Sequence, residues 1–64
     1  MKGIENMKFH KNKVLYSVVR TNDITSDGTP IFSYAAWNDK GQMIDAGEIK
    51  ANCVEEVKDR ILNA

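Results

Sequence analysis

The stretch IFSYAAWNDKGQMIDAGEIK, residues 31–50, decides the fold. Two apolar-rich runs flank the tetrapeptide Asn38-Asp39-Lys40-Gly41. Asn and Asp favour the start of a type I turn, and Gly41 supplies the positive φ that returns the chain into a strand. The segment therefore reads as a β-hairpin. Residues 31–37 form one strand and residues 42–50 the next, antiparallel to it. Gly47 interrupts the second run, which predicts a β-bulge there.

Working outward, residues 13–21 hold Val14, Tyr16, Val18 and Val19, types that suit a pleated sheet. Residues 22–29 are rich in Asn, Asp, Thr, Ser and Gly and read as a loop. Pro30 cannot donate to a ladder, so it belongs at a strand start. Beyond the hairpin, Cys53, Val54, Val57 and Ile61 recur at helical spacing and predict a helix over residues 52–63. Asn52 followed by Glu55 matches a capping box. Cys53 fits the apolar face as a buried residue. Glu56 and Arg60, four apart, predict an ion pair on the wet face.

Residues 1–12 read either as a basic arm or as a short edge strand from about Lys8. The expected fold is α+β. It is an antiparallel meander of three strands, or four if that arm pairs, with one C-terminal helix on one face. Residues 13–64 form the single βββα domain.

Sixty-four residues allow one domain. A core of this size supplies roughly 3–5 kcal/mol. Cys53 is the sole cysteine, so no intramolecular disulfide exists to reinforce it. His10 and Cys53 alone do not make a structural zinc site, which takes four such ligands. A free cysteine, no run of about 20 apolar residues and no signal-like start predict a cytoplasmic protein. Net charge is zero but uneven. Residues 1–20 carry five Lys/Arg against Glu5 alone, and residues 21–64 carry four against eight acids. Lys8, Lys11 and Lys13 are the candidate anion contacts in the basic arm.

Catalytic constellations are not spelled out. His10 is the only histidine, and Ser17, Ser26 and Ser33 sit in no nucleophile motif. Asp45 and Glu48 have opposite strand parity and point to opposite faces. Asp23, Thr25, Asp27 and Gly28 match the first half of a calcium loop, but the position needing a bidentate Glu holds Tyr34. No enzyme activity, cofactor or metal is expected.

Tyr16 with Val18, the Pro30-Ile31-Phe32 step, Gly41 and Gly47 give residues 14–62 an order that resembles the strand–strand–strand–helix half of double-stranded-RNA-binding domains. That family places lysines at the start of its last helix. This chain has Asn52-Cys53-Val54-Glu55-Glu56-Val57 there, so no phosphate-gripping role carries over. The topology is also similar to the truncated ribonuclease-H-like fold of HicB-type antitoxins, with Glu55-Glu56 on the closing helix. Both are resemblances of strand order, and fold alone does not imply function.

The sheet pattern is apolar on both sides. Ile31 and Trp37 point one way, Phe32 and Tyr34 the other. One short helix covers one face, so the second face is expected to meet a partner. Phe32, Tyr34 and Trp37 are the candidate interface residues. The expected function is a non-catalytic interaction module that acts as a homodimer and binds or masks another macromolecule. The alternative is a nucleic-acid-binding domain that uses the basic arm and the hairpin aromatics.

Overall fold

A computed structural model describes residues 6–64. It has four strands and a helix: β1 (Asn6–Lys11), β2 (Val14–Ile24), β3 (Pro30–Trp37), β4 (Met43–Lys50) and α1 (Val54–Leu62). The strands form one antiparallel sheet in the order β1-β2-β3-β4, a plain meander. The N-terminal segment is thus an edge strand from Asn6 onward; the remainder of the expected arm lies outside the described residues.

Local sequence accounts for the two glycine-bearing hairpins. Asn38 N–H donates to Gln42 O at 2.9 Å, and Gly41 N–H donates to Asn38 O at 3.0 Å. Gly41 has φ +79°, as the turn chemistry requires. The Asn38 carboxamide oxygen accepts from the N–H groups of Lys40 and Gln42, at 2.9 and 3.0 Å, which stiffens the turn. The β2–β3 connection repeats the pattern. Thr25 N–H donates to Thr29 O, Gly28 N–H donates to Thr25 O, and Gly28 has φ +89°. Asp27 accepts from the hydroxyls of Thr25 and Thr29, and these bonds hold its carboxyl below the ordinary carboxylate value. The expected 22–29 loop is therefore shorter. Strand β2 runs on to Ile24, with its register shifted between Arg20 and Ile24.

The β1–β2 turn carries no glycine. Asn12 (φ 52°) and Lys13 (φ 67°) both adopt the left-handed conformation, as in a two-residue hairpin of the primed type. Asn tolerates this region, whereas Lys enters it at a cost.

The core lies on the side that faces α1. Phe9, Val18, Phe32, Ala51, Val54, Val57 and Ile61 form it, with Val18, Phe32 and Val57 fully buried. The helix contacts β1 and β2 most closely. Phe9 and Tyr16 are opposed across the strands and stack with ring centroids 5.4 Å apart. The Lys58 ammonium sits 5.7 Å from the Phe9 ring centre, a cation–π contact at the helix edge.

The helix ends differ from the sequence reading. Its N-cap is Cys53 rather than Asn52, and Cys53 makes no side-chain cap bond. Its thiol is free and exposed, not buried on the apolar face. The capping carboxylate is that of Glu56, not Glu55. It accepts from Asn52 N–H at 2.7 Å. The pattern is displaced by one residue because Val54 and Val57, not Cys53, must face the core. Glu56 also pairs with Arg60 at 3.6 Å, and Arg60 donates to Lys50 O at 2.5 Å, which ties the helix to the end of β4. At the other end Lys11 Nζ donates to Ile61 O at 2.8 Å and Ala64 O at 3.3 Å. A cation there complements the helix dipole and satisfies orphan carbonyls.

The missing side-chain cap bond at Cys53 gives a direct test. Serine at the N-cap accepts a bond from the first helical turn, worth about 0.5–1 kcal/mol. Cys53→Ser is expected to raise the urea midpoint with an unchanged slope. A lowered midpoint would show that the thiol contributes packing that its exposure denies.

Candidate interaction face

Alternation along each strand sends every second side chain away from the helix. The ladder registers align these outward residues in rows. One row reads His10, Leu15, Trp37, Met43; the next Lys8, Ser17, Ala35, Ala46; the next Asn6, Val19, Ser33, Glu48. Ile31 and Lys50 extend the face beyond the end of β1. Among the described residues nothing packs over it.

The face is apolar at its centre and charged at its rims. Leu15, Ile31, Ala35 and Trp37 are half-buried by their neighbours. Val19 remains 48% exposed and Met43 62%. Lys8 and His10 line the β1 edge, while Glu48 stands on the β4 edge. At the Trp37 end, His10, Lys13, Leu15, Trp37 and Asn38 line a groove of about 550 Å³. The β3–β4 register shifts between Ala36 and Trp37, so Ile44 is the extra residue and is 53% exposed. The bulge therefore sits at Ile44 and not at the expected Gly47, which pairs regularly with Tyr34.

Gly47 has a different role. A Cβ there would lie 3.0 Å from Tyr34 Cε1. The Tyr34 ring lies across the bare backbone of an edge-strand glycine, shielding it as a cross-strand aromatic does. The Tyr34 hydroxyl reaches Asp45 Oδ2 at 3.4 Å. Desolvation first, and the Asp45 charge second, push the phenol pKa upward.

The three expected interface residues do not share a face. Phe32 has no exposed surface and belongs to the core beneath the helix, so it is withdrawn from the interface. Tyr34 packs beside that core on the helix side. Trp37 alone reaches the open face. The register, which sets even-numbered β3 residues under the helix, divides them. The expected lysines divide as well. Lys11 is held by the helix C-terminus and is withdrawn as an anion contact. Lys8 and Lys13 remain at the rim of the open face. Leu15 and Val19 share a face by alternation along one strand; missed in the sequence was their alignment with Trp37 and Met43 as one surface. Period-two alternation carries that signal only once the register is known.

The titratable candidates do not converge. His10 and Glu48 share a face but stand three strands and two rows apart, about 20 Å at ordinary strand geometry. Asp45 is on the helix side, and Cys53 precedes α1. Among the described residues no cluster of three His, Cys, Asp or Glu could hold a metal ion. No helix there is long and apolar enough to cross a membrane. Comparison with family models, curated proteins and solved structures finds no match. The two resemblances drawn from the sequence therefore rest on strand order alone.

Proposed function

We propose that this chain is a non-catalytic interaction module of the cytoplasm that binds or masks another macromolecule by docking a protein surface on its open sheet face. One observation carries the reading. The sheet is apolar on both sides, and among the described residues one helix covers one of them, which leaves Leu15, Val19, Trp37 and Met43 on the other. A large exposed apolar patch rimmed by charge is the usual signature of a docking site. The free Cys53 thiol suits a reducing compartment.

A photocrosslinking amino acid tests this reading. Placed at Ser33, on the open face, it is expected to give protein adducts in the expressing cell. Placed at Ser26, in the β2–β3 turn, it should give none. Val19→Lys should abolish the Ser33 adducts with little change in melting temperature. Equal adducts from both positions would sink the proposal.

A second reading has its own observation. Lys13 shares a groove with Trp37, beside Asp39, an arrangement in which a base could stack on the ring while its phosphate meets the lysine. This reading predicts that a mixed-sequence single-stranded oligonucleotide binds with steep salt dependence and that Lys8→Glu with Lys13→Glu abolishes it. The two readings oppose each other at Val19→Lys. The added charge strengthens nucleic-acid binding and destroys protein docking.

A further inference from the structure

We infer that the occupant of the open face is a second copy of this chain, packed sheet to sheet about a two-fold axis that runs parallel to the strands. The inference rests on the docking reading above and names its partner.

Charge selects the partner and the axis. On the β1 edge the face carries Lys8, and on the β4 edge it carries the carboxylate of Glu48. A two-fold parallel to the strands lays β1 of one copy over β4 of the other, and β2 over β3. Each Lys8 then faces Ala46 of the partner copy, one row from that copy's Glu48. One row is about 7 Å along a strand, a distance the flexible lysine stem spans. The pairing occurs twice by symmetry. Lys50 shares the β4 edge with Glu48, but its row lies beyond Asn6 and two rows from that of Lys8. The other face-to-face two-fold, perpendicular to the strands, lays β1 on its own copy and opposes like charges.

The apolar centre is consistent with the same axis. Leu15 of each copy lies over Trp37 of the other, because these residues share one row on adjacent strands. The next row sets Ser17 against Ala35, small side chains where the sheets approach most closely. Aligned sheets pack about 10 Å apart, with strands turned by roughly 30°. Four strands and three rows present a face of about 20 Å by 20 Å. Two such faces bury on the order of 800 Å², the size of a small, weak interface.

Sedimentation across micromolar concentrations, with two charge substitutions, tests the inference. The wild-type chain is expected at twice the chain mass. Lys8→Glu and Glu48→Lys should each weaken the dimer by roughly tenfold, and the double exchange should restore it. All three variants change exposed strand positions, so unchanged thermal melts serve as the fold control. A dimer indifferent to the single changes, or not rescued by the double, overturns this geometry. A clean monomer overturns self-pairing. In that event Ser33 adducts to a different protein keep the docking reading standing, and loss of those adducts removes it too.

Discussion

Phe32→Ala is expected to leave the chain largely unfolded at room temperature. Phe32 is fully buried at the centre of the sheet, and it sits in one core cluster with Phe9, Val18 and Val57. Truncating a buried Phe costs about 3–5 kcal/mol, from lost transfer energy and the cavity left behind. A domain of this size has a total stability of similar order. No disulfide offsets the loss, since Cys53 is the one cysteine. Collapse of amide dispersion in a two-dimensional NMR spectrum checks it. A dispersed spectrum with a melting temperature close to wild type would show that the core does not depend on this ring. Phe32→Leu, which keeps much of the volume, should remain folded and bounds the effect from the other side.

Val57→Asp is the second large effect. Val57 is the fully buried contact of the helix, flanked by Val54 and Ile61 at helical spacing. A carboxylate at this position would be desolvated among hydrocarbon side chains. The expected cost is roughly 3 kcal/mol or more. The helix would separate from β1 and β2 and leave a sheet exposed on both faces. The expected readout is binding of a hydrophobic dye together with concentration-dependent aggregation. Leu62→Asp is the matched control, because Leu62 is 38% exposed on the same helix and its change should be small. If Val57→Asp melts cooperatively near the wild-type temperature, the helix does not seal the core as described.

Both results bear on one asymmetry: the sheet has two apolar faces and the described residues supply one helix. Dimerisation through the open face would add the burial that a 64-residue core lacks. The apparent stability would then depend on protein concentration.

Much of this molecule is written in local sequence. The β3–β4 hairpin was legible because Asn38 and Gly41 leave few other conformations for that turn. The helix was legible because Val54, Val57 and Ile61 repeat at its period. The Glu56–Arg60 pair followed from their spacing. The β1–β2 turn was not legible, since Lys13 occupies a left-handed position that composition assigns to glycine. The helix cap slipped by one residue because core packing of Val54, rather than the capping pattern, sets the register. The bulge fell at Ile44 rather than Gly47 for a similar reason: Gly47 is needed flat beneath the Tyr34 ring.

The candidate site divides along the same line. Sequence alone determined that the sheet is apolar on both sides and that one helix cannot cover both, because side-chain alternation is a property of each strand by itself. Which face is covered, that Phe32 lies under the helix and Trp37 outside it, and that Lys11 caps the helix while Lys8 stays at the rim, were decided by tertiary structure. These depend on pairing register and on where the helix docks. Both are set by contacts between residues tens of positions apart, such as Lys11 with Ile61, and no local propensity encodes them.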